Sequence, residues 1–282
     1  MESSPKSTSF EYGESYQLEQ LEKHRKRYEN HWKDRIGLAH TMIDKWVLPN
    51  LDTSNPKSIR TLDVGCSIGT MAIEMAQRGF DSFGVDFDES ALKLAQILAE
   101  EENVSIEFFQ CDVAELENKE KPFDIVLCFD IFEHLHDDEL GSLLQSIKRQ
   151  LSSNGALLFY SFPLQYDYLF YSRDILHWPL IPFKWLSTRA FERVVRFYAS
   201  VLDAGLLLTT GKSYKERIAK MSHCNPTTKP RLEAILQRAG YSICYFETDN
   251  IYPFKQKIKR RFSNQPVADR NLFGVATLAT DK

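Results

Sequence analysis

The chain has 282 residues, 43% of them apolar and 26% charged, the balance of one folded α/β domain with an added cap or of two closely packed domains, and not that of a disordered chain. A formal charge of -4 excludes global attraction to nucleic acid and leaves only a local patch to supply it. Met1 to Ser9 is serine-rich without the apolar stretch of a secretory signal, no uncharged apolar run approaches the about 20 residues that cross a bilayer, and the five cysteines form no Cys-x-x-Cys pair, so a cytoplasmic protein is expected, with peripheral membrane contact left open.

In chain order, residues 14 to 47 place Tyr16, Leu21, Tyr28, Trp32, Ile36, Ala39, Ile43 and Trp46 at helical spacing, and Leu48-Pro49-Asn50 stops the pattern. Tyr28 and Trp32 read as an i,i+4 packing pair, with His31 and Arg35 as a solvated edge; contact of these residues with a ligand is the alternative. The next stretch alternates strands and helices: strand 59–64, helix 69–78, strand 80–85, helix 89–101, strand 105–110, strand 123–129, helix 138–151 and strand 156–161. Such alternation predicts a parallel sheet with helices on both faces, and Asp88 and Asp137 are placed as helix N-caps. Thr228 and Pro230 open a helix that stops at Gly240, and Ser242 to Thr248 and Leu272 to Ala279 read as two closing strands.

Thr61-Leu62-Asp63-Val64-Gly65-Cys66-Ser67-Ile68-Gly69 is an apolar strand running into a glycine-punctuated turn, and Asp86 ends the next strand about 20 residues on, where a carboxylate holds an adenosine ribose. Gly65 and Gly69 let the backbone turn tightly and let a ligand reach the amides at the helix start. Asp63, at the mouth of the turn, opposes a pyrophosphate and attracts a cation, which favours S-adenosylmethionine over a dinucleotide. There is no Tyr-x-x-x-Lys pair and no three-glycine loop of the dehydrogenase kind.

Residues 59 to about 161 resemble the core of a class I S-adenosylmethionine-dependent methyltransferase, with a likeness to the quinone-pathway O-methyltransferases. The family pattern is acid-x-Gly-x-Gly-x-Gly, and Ser67 stands at its middle glycine. Asp112 and Val113 resemble the pair that reads the adenine edge, Phe87 the residue packed on adenine, and Phe123 to Phe129 the fourth strand, leading into Asp130-Ile131-Phe132-Glu133-His134-Leu135. The resemblance implies a doubly wound, Rossmann-like sheet of seven strands, mostly parallel with the last antiparallel. It assigns cofactor binding to Asp63, Gly65, Gly69, Asp86, Phe87, Asp112, Val113 and Phe129. Residues 1–55 form an N-terminal helical extension, 56–161 the S-adenosylmethionine-binding core, 162–226 an inserted cap and 227–282 the rest of the core sheet.

The insertion holds eleven aromatic residues from Phe162 to Tyr198 and prolines at 163, 179 and 182. A segment of that length over the carboxyl ends of strands four and five reads as a lid on a small, apolar or aromatic acceptor, its aromatics shared between its own core and the cavity. Lys255, Lys257, Lys259, Arg260 and Arg261, with Ile258 and Phe262 between them, read as a solvated loop or as a patch for anionic lipid or phosphate.

A sulfonium methyl is already activated, so the enzyme mainly aligns the acceptor in a water-poor pocket. A hydroxyl acceptor needs a base, and His134 is the candidate, ahead of His136 and His177. Asp130-x-x-Glu133-His134 also resembles the Glu-x-x-Glu-His element that holds a divalent ion in quinone-pathway and small-RNA 2'-O-methyltransferases. The first acid is here an aspartate, one methylene shorter, so a metal is an alternative and not the leading expectation. Phe129-Asp130-Ile131-Phe132 lacks the Asn/Asp-Pro-Pro-Tyr/Phe signature of nucleic-acid base methylation. Methyl transfer to oxygen of a small molecule is the expected function; an RNA 2'-O-methyltransferase and a non-catalytic S-adenosylmethionine-binding module are the alternatives.

Overall fold

The structure, a computed structural model, describes residues 14–112, 121–171, 176–213, 223, 225–249, 256–262 and 265–279. Among these, seven strands form one sheet: β1 (Arg60–Val64), β2 (Asp81–Asp86), β3 (Glu107–Gln110), β4 (Phe123–Phe129), β5 (Leu151–Ser161), β6 (Tyr241–Asp249) and β7 (Asn271–Leu278). Their order is β3-β2-β1-β4-β5-β7-β6, and β7 runs antiparallel to both of its neighbours while the pairs from β3 to β5 are parallel. This is the expected doubly wound, mostly parallel arrangement.

The central strand explains the pattern. β4 reads Phe-Asp-Ile-Val-Leu-Cys-Phe, nearly all apolar, because a parallel strand is covered on both faces. Val126 and Cys128 pack with Leu140, Leu143 and Leu144 of α5 (Asp137–Gln150) and with Leu232 and Leu236 of α8 (Lys229–Arg238). Ile125, Leu127 and Phe129 pack on the opposite face with Ile36, Ala39 and Met42 of α2 (His31–Met42) and with Met71 and Met75 of α3 (Thr70–Gln77). α4 (Glu89–Glu101) lies outside β2 and β3, and Asp88 caps it as expected, accepting from the amides of Ser90 at 2.9 Å and Ala91 at 3.3 Å.

Several local expectations are corrected. Residues 14 to 47 are two helices, α1 (Glu14–Arg25) and α2, because Asn30 restarts the chain: its Oδ1 accepts from Trp32 N at 2.8 Å and its Nδ2 donates to Lys23 O at 2.7 Å. α2 then runs into a π-helical turn, Ile43–Val47. Tyr28 lies in the break and so is no packing partner of Trp32; it is exposed and donates its hydroxyl to Glu74 at 2.6 Å. Two polar residues around the end of α1 turn inward: His24 Nδ1 meets Thr70 Oγ1 at 3.1 Å, and Arg27, in the break that follows, is buried and pairs with Glu74 at 2.6 Å and Glu102 at 2.9 Å. The N-cap of α5 is His136, whose amide donates to Glu139 at 2.8 Å, while Asp137 is the first helical residue. β5 begins five residues before the expected start, because Gly155 passes where a Cβ would sit 2.9 Å from Phe123 O, and the ladder continues through a register shift.

After β5 the chain builds α6 (Asp167–Tyr171), a 3-10 segment at Trp178–Phe183 and α7 (Thr188–Thr210). Tyr166, Leu169, Phe170, Leu180, Phe191 and Val195 form a separate core there. The basic run joins it: residues Gln256–Arg261 are a helix, α9, and not a solvated loop, with Ile258 and Phe262 in the cap core and Phe262 edge-on to Phe170 at 5.1 Å. Arg270, just before β7, ties the cap to the sheet by donating to Asp167 at 2.5 Å with its guanidinium 4.4 Å over Phe162. No helix among the described residues is long and apolar enough to cross a membrane.

Candidate active site

Beyond β1 the chain winds outward to β3 and returns at β4, so the sheet order reverses between β1 and β4. In an open α/β sheet the crevice at the carboxyl ends of the strands at such a reversal is the ligand site. Four turns converge on that edge, after β1, β2, β3 and β4.

The turn after β1 holds three residues in the left-handed region, Gly65 at φ 71°, Ser67 at φ 48° and Gly69 at φ 79°. A Cβ on Gly65 would lie 2.6 Å from Ile131 Cδ1 and one on Gly69 would lie 2.9 Å from the Phe108 ring, so both glycines are required. Ser67 carries the strain that the family's glycine avoids, a cost of order 1 kcal/mol. Its amide is held by Asp86, whose Oδ2 accepts from Ser67 N at 2.7 Å and whose Oδ1 accepts from Asp88 N at 3.0 Å. Burial raises the Asp86 carboxyl, and these amide hydrogen bonds oppose the rise. Asp86 therefore fixes the glycine turn from the end of β2.

Asp63 is buried at the end of β1 and accepts from Ala72 N in the first turn of α3 at 3.2 Å. It thus also serves as a helix-end acceptor. Burial first, then the nearby Asp86 carboxylate, push it up to about 8. A cationic ligand in the crevice would supply the missing counter-charge. Phe87 is half-buried, its carbonyl accepting from Gln110 Nε2 at 2.9 Å; Asp112 is half-buried one residue beyond Cys111, whose amide donates to Asp86 O at 3.0 Å; Val113 lies outside the described residues. The Phe129 ring is committed to the core, stacked on Tyr160 at 5.7 Å.

At the end of β4, Asp130 adopts φ 55° and pairs with Arg35 of α2: Nη2 donates to Oδ1 at 2.9 Å, and Nε lies 2.9 Å from Oδ2 as an ion-pair contact. Arg35 is buried, its guanidinium 5.0 Å over Tyr160 and 5.4 Å from the Trp32 ring, so it is no solvated edge. Sequence periodicity had no signal for this pair, whose members are 95 residues apart.

The arginine also changes the candidate metal set. Asp130 is given to Arg35, and the groups brought together are Glu133, His134 and His223, whose ligand atoms lie within 4.8 Å of one another. His223 was not picked out by the sequence; it comes to His134, ring centroids 4.9 Å apart, because Asn225 two residues on is stitched to the same turn. Asn225 N donates to Glu133 O at 2.9 Å and its Nδ2 to Leu135 O at 2.8 Å. Burial, then the neighbouring His134, hold His223 down at about 4, so it is a neutral imidazole. Glu133 is buried; Ser161 donates to its Oε2 at 2.7 Å, its Oε1 has no hydrogen-bond partner, and burial followed by Asp130 push it up to about 8. His136 caps α5, and His177 accepts from Arg261 at 2.9 Å in the cap, so neither stands with His134.

Residues 61–155 match the family model described as Methyltransferase domain. Sheet order, glycine turn and match together mark residues 61–155 as a methyltransferase domain on a doubly wound, Rossmann-like sheet. The chain is 36% identical over 102 residues to the ubiquinone biosynthesis O-methyltransferase of Acinetobacter baylyi, covering 36% of this chain and 42% of that one. It spans about two-fifths of the length of the first curated relatives it matches. Among solved structures it resembles an S-adenosylmethionine-dependent methyltransferase from Clostridium acetobutylicum (TM-score 0.57, 12% identity, 94% of this chain and 99% of that one). It also resembles magnesium protoporphyrin IX methyltransferase from Synechocystis with bound S-adenosylhomocysteine (TM-score 0.52, 18% identity, 94% and 96% covered). At such identities these two show the fold.

The crevice fits S-adenosylmethionine, since two buried carboxylates, Asp63 and Asp86, which accept from the amides of Ala72, Ser67 and Asp88, flank the glycine turn. Asp63 makes binding pH-dependent. A cation beside it favours the ionised form, so binding below pH 8 is expected to release a proton and to tighten by up to about tenfold per pH unit as pH rises towards 8. Titration calorimetry in buffers of different ionisation enthalpy reads this directly; Asp63→Asn should remove it, leaving only the titration of the ligand's own amine. Identical pH profiles for the two proteins would exclude this role.

Proposed function

We propose that this protein methylates a hydroxyl oxygen of a small, apolar or aromatic acceptor, with His134 as the general base. The gathering of Glu133, His134 and His223 at the carboxyl end of β4, beneath the start of an aromatic cap, carries this reading. The relatives named as ubiquinone O-methyltransferases support oxygen as the acceptor atom. The described cysteines are free thiols, in keeping with a cytoplasmic setting.

When bound, S-adenosylmethionine supplies a methyl group activated by its sulfonium. The chain's residues do the rest: Asp86, Gly65 and Gly69 shape the nucleoside crevice, Asp63 answers the positive charge, and Phe87 and Asp112 flank the adenine end. Arg35 and Asp130 close α2 over the site and keep water out. His134 takes the acceptor proton, oriented by the turn that Asn225 secures.

Glu133, His134 and His223 also fit a divalent ion. The donor set is one carboxylate and two imidazoles, and the unpartnered buried Glu133 Oε1 is the atom such an ion would satisfy. A bound ion would lower the acceptor hydroxyl's pKa. His134→Ala is expected to lower kcat with phenolic acceptors by about 10²- to 10⁴-fold while leaving S-adenosylmethionine affinity unchanged. Chelation separates the two roles: turnover indifferent to chelator assigns His134 to the proton alone, and loss restored by added Mg²⁺, Mn²⁺ or Zn²⁺ assigns the set to an ion. Undiminished kcat in His134→Ala would overturn the proposal.

A further inference from the structure

The charge of this chain is divided between its parts. Residues 162–226 carry nine Lys/Arg against five Asp/Glu, and 255–262 add five Lys/Arg and no acid, while the rest of the chain carries 21 Lys/Arg against 34 Asp/Glu. These two stretches are therefore net basic and the remainder net acidic, a division hidden in the net charge of -4. The cap is also where large apolar side chains face outward.

α7 has two apolar faces. Phe191, Val195 and Ala199 pack into the cap core, whereas Phe197, Val201, Ala204 and Leu208 recur at helical spacing on an exposed stripe; Phe197 is 72% and Leu208 87% exposed. Arg189 and Arg193, both exposed, continue that stripe towards the start of the helix. Trp178 and Trp185, 56% and 81% exposed, stand on the segment that α9 holds in place, where Arg261 donates to His177 and Gln265 donates to the carbonyls of Lys184 and Leu186. Arg260 of α9 is exposed.

We infer that the cap is a docking surface for an anionic lipid bilayer. Exposed tryptophans and phenylalanine are interfacial anchors, and basic residues around an apolar stripe are attracted to acidic headgroups. Charge decides between occupants. A second copy would bring one basic cap against another, and single-stranded nucleic acid would leave the aliphatic side chains of Val201, Leu207 and Leu208 without partners. An anionic membrane satisfies both the apolar stripe and the arginines, and the acidic remainder of the protein is repelled from it, which orients the molecule cap-down. Docking is independent of which acceptor the site takes.

Vesicle sedimentation tests this with the full chain. The protein is expected to sediment with phosphatidylcholine vesicles containing about 30 mol% phosphatidylglycerol, to ignore pure phosphatidylcholine, and to be released by salt. A triple variant, Trp185→Ser, Phe197→Ser and Leu208→Ser, is expected to lower the partition coefficient by at least about tenfold. Arg189→Gln, Arg193→Gln and Arg260→Gln together are expected to lower it by roughly fivefold per charge. Both variants should melt and bind S-adenosylmethionine like the parent. No sedimentation, equal binding to neutral vesicles, or unchanged partition of the variants would overturn the inference. So would a solution dimer that the serine variant dissociates, or single-stranded RNA retained equally by parent and serine variant.

Discussion

Asp86→Ala is expected to abolish measurable S-adenosylmethionine binding. The carboxylate has two tasks in the folded chain: it anchors Ser67 N and Asp88 N, and it faces the position where the family resemblance puts the ribose hydroxyls. Charge-assisted hydrogen bonds are worth about 1.5–3 kcal/mol each, so losing two to the ligand alone weakens binding by roughly 10²- to 10⁴-fold. Freeing the Ser67 amide adds to the loss, because that residue adopts φ 48° only while its surroundings hold it there. Asp86→Asn keeps one acceptor and should fall between parent and alanine variant. Titration calorimetry measures all three, and binding by Asp86→Ala within tenfold of the parent would contradict the assigned crevice. Losing the acceptor of two amides is expected to cost the apo protein about 1–3 kcal/mol, so the variant's melting temperature is measured beside the titration.

Arg35→Ala is expected to have the largest effect on stability. Arg35 and Asp130 form an ion pair with one hydrogen bond, in which the arginine side chain is 8% and the aspartate 25% exposed. Breaking a buried pair from one side costs about 3–5 kcal/mol; with Asp130 partly reached by water, roughly 2–3 kcal/mol is expected, or a melting temperature lower by about 5–8 °C. The sign with pH is fixed by the orphaned acid. Burial raises Asp130, and without Arg35 its folded-state pKa moves further above the unfolded value, so the variant's stability is highest at low pH and falls as pH rises through the carboxylate range. Asp130→Asn in the same chain should restore much of the loss, and failure to do so would show that Arg35 acts through Trp32 and Tyr160 instead. Activity should fall in Arg35→Ala beyond what lost stability explains, since α2 covers the site through this contact.

Those two substitutions mark what could and could not be read in the residues. The place of Asp86 at the end of β2 was legible because strand, glycine turn and second strand follow one another at fixed spacing, and β4 because seven nearly all apolar residues in a row admit no exposed face. The cap core and the antiparallel last strand were likewise expected. Arg35 was not legible: a lone arginine on a helix beside polar neighbours has the pattern of a solvated edge, and only the folded chain shows that Asp130, far along the sequence, lies under it. His223 was missed for the same reason, since neither its spacing nor its neighbours point to His134. The break at Lys26 to Asn30 was hidden because the apolar period continues through it, while the cause of the break is polar, an Asn30 cap and an inward Arg27. His136 in place of Asp137 at the cap of α5 is a shift of one residue, set by which amide Glu139 can reach.

β7 reaches further than its length suggests. Among the described residues β6 pairs with β7 alone, so that strand carries its attachment to the sheet. The start of β7 also ties down the cap, through Arg270 to Asp167, and the neighbouring strand β5, through Asn271 to the Tyr160 hydroxyl at 2.5 Å beneath Arg35. The β6–β7 pair thus serves as the keel for the sheet's far edge, for the cap and for the floor beneath Arg35. Amide protons of β6, α6 and β5 should then exchange with deuterium as a single cohort, so that the lid loosens when that keel lifts and not on its own.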